Sequence, residues 1–460
     1  MDLEAIARNL YRMQKPKDQL LHELSDLAGS EAKAEAILKE IEYTENISDP
    51  FIEEISKFYN SGISAEYSGL GCRGEGDFFI HHKIAELISN KSMVVGPDQQ
   101  DDAGVIQVGE HFISVAVDGM HSRLSQFPFL AGFHVARAAI RDIIVMGCTP
   151  KAIFSDIHLA NDGDVAKVFD YTSGIATVSE LTEIPLVAGS TLRIGGDLVL
   201  GDRLTGCAGC VGYGRRLTPR KSSKPGDILI MTEGSGGGTI ATTALYNGYS
   251  EVAENTLSLR IINLGKKLID TDIIKYVHAI TDVTNGGIRG DLFEIANTAQ
   301  VRITLFKDRF RSLINPKILD MLTKLDIDPM GVSIDSLLII LPRNHAGEVI
   351  DFIRSQGYRA EIVGVVQDPF ANGSGVQIIK EVGNKDIDSI ISLIRNGEIE
   401  ISEITPEYRE APYTPIKKVV NISIKEPSQS DLEHSVEVAV KKSLDKKLFI
   451  KDWLIKNGRL

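Results

Sequence analysis

Leu3, Ile6, Ala7 and Leu10 recur at helical spacing, and Ala34, Ile37, Leu38 and Ile41 repeat the pattern, so residues 1–65 read as a helical segment punctuated at Asp49-Pro50 and Ser61-Gly62. It carries no catalytic chemistry, and packing or partner contact is its expected role. From 66 to 218 the texture changes to short β-rich runs divided by glycine and by longer helical stretches. The patterns predict strands over 111–117, 184–188 and 204–213 and helices over 129–146 and 165–181, the first helix stopped by Gly147 with Pro150 close behind. The polar stretch 221–227 is the expected domain boundary. A second unit over 222–370 contains strands at 228–231, 336–341 and 360–366 and a helix at 345–356. Residues 371–460 read as an appendage: 407–415 is rich in proline and tyrosine, and Ser430-Asp431-Leu432-Glu433 has capping-box spacing ahead of Val436, Val440 and Leu444 on a terminal helix. The class is α/β (α+β), with two domains between helical appendages.

Composition narrows the functions. With 43% hydrophobic and 25% charged residues the 460-residue chain has material for more than one core. A formal net charge of -13 argues against a broad nucleic-acid or anionic-membrane surface. No apolar run approaches the roughly 18 to 20 residues that span a bilayer, and Met1-Asp2-Leu3-Glu4 lacks the start of a signal peptide, so a cytoplasmic location is expected. Cys72, Cys148, Cys207 and Cys210 are too few for a disulfide framework and read as reduced thiols.

Candidate chemistry gathers at a few points. Asp101-Asp102, beside small residues and ahead of a β-rich run, suits a hard cation such as magnesium, with a solvated turn as the alternative. Asp118 leaves the apolar run 113–117 where a strand exits its sheet, a common ligand edge. On the 129–146 helix, His134, Arg137 and Arg141 form a polar stripe, whereas Asp142 falls with Ala131, Val135 and Ala138 on a small-residue face that implies close approach of another element. A carboxylate there needs a cation or donor. The segment Gly69-Leu70-Gly71-Cys72-Arg73-Gly74-Glu75-Gly76-Asp77 lets backbone amides approach phosphate, although it lacks the lysine and helix-start pattern of a Walker loop. Thr281-Asp282-Val283-Thr284-Asn285-Gly286-Gly287 reads as a strand, a turn and a helix N-terminus, an anion site. The loop Glu233-Gly234-Ser235-Gly236-Gly237-Gly238-Thr239 is similar, with a tight connection as the alternative.

Taken in order, Asp-Asp-Ala-Gly-Val-Ile (101–106), Val-Asp-Gly (117–119), Ile-Arg-Asp-Ile-Ile-Val-Met-Gly-Cys-Thr-Pro (140–150), Pro-Gly-Asp-Ile-Leu-Ile (225–230) and Thr-Asp-Val-Thr-Asn-Gly-Gly (281–287) resemble the PurM-like superfamily. That superfamily includes aminoimidazole ribonucleotide (AIR) synthase, formylglycinamidine ribonucleotide synthetase, thiamine-monophosphate kinase, selenophosphate synthetase and the hydrogenase-maturation protein HypE. The resemblance implies a two-domain fold whose N-terminal domains pair as a homodimer through a shared β-barrel, with ATP and Mg2+ in the cleft. It further implies metal-linked carboxylates at Asp102, Asp118 and Asp142, a nucleotide-covering loop at 69–77 and an anion-binding side at 281–287. One departure is Ala188-Gly189-Ser190-Thr191 in place of Gly-Gly-Asp/Glu-Thr; strand context favours Ser190 for the acidic position and the carboxylate favours Asp197. The chain ends Asn457-Gly458-Arg459-Leu460, without the terminal cysteine of HypE. Cys72 in its tight loop and the Cys207/Cys210 pair in a strand read as structural, although the glycine-loop cysteine of selenophosphate synthetase gives Cys72 a reactive alternative.

The expected activity is transfer of the ATP γ-phosphoryl group to an oxygen of a small substrate, or its use to activate that oxygen. A nucleotide-binding scaffold without turnover is the competing reading. No general base is identifiable, and no nucleic-acid or membrane partner is expected.

Overall fold

The alternating runs of residues 104–214 form a five-stranded sheet of order β1-β2-β5-β3-β4: β1 (Gly104–Val108), β2 (His111–Gly119), β3 (Thr149–Leu159), β4 (Leu186–Arg193) and β5 (Leu204–Gly214). Neighbours are antiparallel except β3 and β4, which the crossover helix Ala166–Thr182 joins in parallel. These elements come from a computed structural model that describes residues 1–89, 92–371, 373–407 and 428–456. The proline- and tyrosine-rich segment therefore lies outside the described residues apart from Glu407, as do 457–460.

Helices Pro128–Val145 and Ala166–Thr182 cover one face of this sheet. They meet at glycines, because a Cβ on Gly132 would stand 1.9 Å from the Tyr171 carbonyl oxygen. The opposite face is bare: Ser114 and Ala116 of β2 are buried under the helices, while Val115 and Val117, which alternate with them, are exposed with Val187, Leu192 and Tyr213. Strand β4 runs five residues past its expected end, since parallel pairing with β3 continues through Ser190 and Thr191. Asp197 lies on the turn beyond it.

The second sheet has the order β12-β11-β8-β10-β6-β9-β7, from β6 (Asp227–Thr232), β7 (Ala279–Asp282), β8 (Arg302–Phe306), β9 (Leu337–Pro342), β10 (Ala360–Gln367), β11 (Gly375–Ile379) and β12 (Ser402–Ile404). Its central strands β6 and β9 are buried between two apolar clusters, which is why their sequences read as continuous rather than alternating runs. Strands β11 and β12, from the stretch read as an appendage, are hydrogen-bonded into this sheet.

The N-terminal helices Leu3–Arg12, Lys17–Ala28 and Glu31–Glu45 bury the faces that their spacing marks and rest on Leu198 and Leu200 of the β4–β5 connection. The terminal helix Gln429–Lys456 starts earlier than its capping-box motif suggests, because Ser428 Oγ, not Ser430, accepts the Asp431 amide. Among the described residues, no helix is long and apolar enough to cross a membrane.

The domains are tied by buried ion pairs. Arg137 and Arg141, one turn apart on the 128–145 helix, both donate to Asp335, and Arg141 also donates to Asp282. Asp335 is fully buried and holds φ +59°, a left-handed conformation that aspartate tolerates better than most residues. Asp335→Asn keeps the shape and removes the charge shared by two buried guanidiniums, and urea denaturation should show a loss of about 3–5 kcal/mol. A loss below about 1 kcal/mol, typical of surface pairs, would show that this network does not hold the domains together.

Candidate functional site

Between the domains lies a cleft of about 740 Å³. Asp118-Gly119, His121, Val135, Ala138 and Asp142 line it from the first domain, and Gly237-Gly238-Thr239, Asp282, Thr284, Asn285 and Ser333 from the second. Gly71-Cys72-Arg73 covers one end.

Asp118 and Asp142 face this space with no hydrogen-bond or ion-pair partner among the described residues. Burial pushes Asp118 up to about 6, with Arg141 opposing and Asp282 adding. Burial, and then the nearby Asp118, Asp282 and Asp102, hold Asp142 well above the usual carboxylate range. The small-residue face carrying Asp142 is divided: Ala131 and Val135 are buried in the core of the first domain, as the sequence suggested, while at Ala138 and Asp142 the cleft opens. The close approach occurs at Gly132, where Tyr171 and Ile175 of the 166–182 helix lie.

Asp101 and Asp102 differ in use. Asp101 braces its own turn, accepting the Asp102 amide at 3.1 Å and the Arg220 amide at 3.0 Å. Asp102 accepts Arg220 Nη2 at 2.6 Å and Thr281 Oγ1 at 2.9 Å; burial nevertheless raises its carboxyl, against the pull of Arg220. Both carboxylates line the cleft. Arg220, only 1% exposed, also reaches Glu294 at 2.8 Å.

Within 281–287, β7 ends at Asp282, whose carboxylate is held by Arg141 and by Thr284 Oγ1 at 3.1 Å. Asn285 Oδ1 accepts the Thr239 hydroxyl, which ties the two glycine-containing loops together. Thr281 turns to Asp102 and Arg220 rather than to the cleft. Gly286 and Gly287, at φ +89° and +60°, shape the turn into the helix Gly287–Ala299; a Cβ on Gly287 would lie 2.3 Å from the Met330 carbonyl oxygen.

The 69–77 segment is more ordered than a flexible loop. Gly69 ends the short helix Ala65–Ser68, and a helix does begin inside the segment, at Glu75, with Gly74 as its N-cap and Gly76 and Asp77 in its first turn. Its start signal was the pair of acids in that turn. The Asp77 carboxylate reaches back to the amides of Gly71 at 2.9 Å and Arg73 at 3.0 Å. Arg73 in turn pairs with Glu294 at 3.1 Å.

The structure adds His121, Arg123, Arg220, Glu294, Ser333 and Asp335, isolated in sequence and therefore without a local signal. His121 accepts or donates to Thr242 Oγ1 at 3.0 Å; burial and then Arg123 hold its imidazole down to about 4, so it is neutral. Among the described residues no three His, Cys, Asp or Glu side chains are grouped around a metal position. Two donor-free carboxylates facing an open cleft fit magnesium, which takes few protein ligands and completes its shell with phosphate oxygens and water.

Residues 100–212 match the model of the AIR synthase related protein N-terminal domain, and residues 224–375 match that of the C-terminal domain. The chain is 41% identical to an uncharacterised protein of Methanocaldococcus jannaschii, over 99% of this chain and 98% of that one. It is 28% identical to the thiamine-monophosphate kinase of Pyrococcus abyssi, over 60% of this chain and 84% of the kinase. In architecture it is similar to a solved structure of ThiL complexed with AMPPCP and TMP, with a TM-score of 0.51 at 18% identity over 68% of this chain and 96% of that one. The chain belongs to the AIR synthase-related family, with its PurM-like fold.

Proposed function

We propose that the chain binds ATP with magnesium in the inter-domain cleft and transfers the γ-phosphoryl group to an oxygen of a small substrate, or uses it to activate an amide, carboxylate or phosphate oxygen. The carrying observation is that Asp118 and Asp142 face the cleft without donors while each of the other carboxylates lining it, Asp101, Asp102 and Asp282, has an arginine, hydroxyl or amide partner. The kinase relative and the nucleotide analogue in the similar ThiL structure support this reading.

In this reading Asp118 and Asp142 hold magnesium, with Asp102 next to them behind Arg220. Bound magnesium would offset phosphate charge and polarise the bond to the transferred group. Gly71, Cys72 and Arg73 cover the phosphates from above, the amides of Gly71 and Arg73 fixed by Asp77 and that of Cys72 by the Gly69 carbonyl. Asp282, locked by Arg141 and Thr284, sets the floor. Thr239, Asn285 and the neutral His121 bind and orient the second substrate, and the 69–77 segment, lying over one end of the cleft, excludes water there. The bare sheet face with Val115, Val117, Val187 and Leu192 pairs with a second copy, making a homodimer. A scaffold without turnover stays as a second reading on one observation: neither Ser190 nor Asp197 lines the chain's own cleft. A metabolite screen for substrate-dependent ADP formation with magnesium decides between them.

Ligand at 100 times its Kd stabilises a native protein by about 2.7 kcal/mol. Asp142→Asn should lose most of the melting-temperature rise given by magnesium-ATP and leave apo stability equal or higher, since it removes buried repulsion. A large apo loss with the ligand-induced rise intact would sink the metal role.

His121 has a depressed folded pKa, so the stability it contributes is present above the unfolded value near 6.5 and is lost as pH falls toward about 4. Imidazole NMR should place its midpoint near 4, and His121→Gln should make stability fall less steeply between pH 6.5 and 4. A midpoint near 6.5 would contradict the buried, neutral ring.

Light scattering at micromolar concentration should give the dimer mass, and Val117→Glu on the bare face should give the monomer. A wild-type monomer would refute the pairing.

A further inference from the structure

The helix Glu75–Glu86 carries the cover of the cleft. Its first turn holds Asp77, whose carboxylate fixes the amides of Gly71 and Arg73, and further along it His81 lines the cleft. Yet the helix has little of its own to hold it. Gly76 and Asp77 are its buried residues, while Ile84, and Ile88 just beyond its end, are exposed. Gly74 at the N-cap has no side chain to cap the first amides. A helix of 12 residues is marginal without packing or caps.

Both ends are held instead by the C-terminal extension. The Glu407 carbonyl accepts the first helical amide, that of Glu75, at 2.9 Å, and Arg289 of the second domain donates to the Glu407 carboxylate at 3.1 Å. At the other end the Lys447 ammonium donates to the Leu87 carbonyl at 2.6 Å, where a helix presents free acceptors and its negative pole. Lys447 belongs to the helix Gln429–Lys456, which packs along 75–86 and against Pro50–Ser56 and has Leu432 and Val436 buried one turn apart. Between the two ends Lys83 reaches Glu437 at 3.5 Å, and Phe51 stacks on Trp453 at 4.4 Å.

We propose, on the reading of 69–77 as the cover of a nucleotide site, that the C-terminal extension is a clasp: by capping helix 75–86 at both ends it sets how often the cover lifts from the cleft. The inner side of the cover is fixed to the second domain, since Arg73 pairs with Glu294 and a Cβ on Gly286 would stand 2.9 Å from Arg73 Cβ. Loosening the outer side therefore acts through Asp77 on the amides of Gly71 and Arg73. Entry and release of nucleotide then follow the local stability of one helix rather than that of the whole fold.

Hydrogen exchange of the full chain, without ligand, reads the clasp. Leu432→Asp with Val436→Asp should free the terminal helix, and loss of its cap should speed exchange at Gly71 to Arg73 at least about fivefold. Lys447→Leu, which removes the cap alone, should speed the same amides by about fivefold. The amides of β6 and β9 should keep their wild-type protection. Unchanged exchange at 71–73 in both variants would overturn the clasp, and so would a rise shared equally by β6 and β9, which marks general loosening. In stopped flow, a fluorescent ATP analogue with magnesium should leave the variants about fivefold faster than the wild type. A wild-type cleft that takes no analogue would count against the nucleotide reading, and the exchange result would still decide the clasp.

Discussion

The geometry of the cleft depends on one buried contact, the Asp335 carboxylate gripped by Arg137 and Arg141 across the domain boundary. Two guanidiniums one turn apart on a helix repel each other unless an anion lies between them. A buried ion pair gives little net stability relative to apolar packing, so its more specific contribution is registry. Arg141 carries that registry into the site, because it also grips Asp282 at the end of β7. Asp142, the next residue, leaves the helix about 100° further round and enters the cleft. The spacing between Asp142 on the first domain and Asp282 on the second is therefore set by a single arginine.

A second cluster closes the other side. Arg220 meets Asp102 and Glu294, Arg73 meets Glu294, and Asp291 lies 3.7 Å from Arg220 with both oxygens lacking hydrogen bonds. Carboxylates outnumber arginines here, and burial together with the neighbouring acids holds Asp291 well above the usual range. The glycine segment is tied to the same cluster through Arg73 and Glu294, which couples the cover over the cleft to the charge balance beneath it.

What was legible in the sequence follows from the range of the interactions. The N-terminal helices were readable because Leu3, Ala7, Ile37 and Ile41 announce their buried faces within one or two turns. Asp118 and Asp142 stood out for the same reason, each a carboxylate against a local apolar pattern. Arg220, Glu294 and Asp335 did not, since their partners lie far along the chain and nothing nearby marks them. The helix start at Glu75 was hidden by the glycines around it. The small-residue face of Asp142 was legible only in part: Ala131 and Val135 are packed as expected, but a gap for a ligand and a gap for a neighbouring element leave the same periodicity, so the opening at Ala138 and Asp142 had no signal of its own. Strands β11 and β12 were missed because short segments pairing at a sheet edge need little pattern of their own.

The departure at Gly189-Ser190-Thr191 can be placed by the same reasoning. Ser190 sits in β4 opposite Asp156 of β3, away from the cleft, and Asp197 follows on a turn whose carbonyl accepts Lys33 at 2.9 Å. That turn is where the N-terminal helices dock: Leu198 and Leu200 pack into their core, and the Leu3 amide donates to the Leu198 carbonyl at 2.8 Å. The carboxylate candidate Asp197 is thus drawn to the helical bundle, while the strand position opposite Asp156 is filled by a neutral serine. A second aspartate directly across from Asp156 would place like charges side by side on a sheet, which is destabilising. The serine removes that repulsion, so the altered motif is accounted for by the local balance of charge between β3 and β4, and the carboxylates that line the cleft are left unchanged.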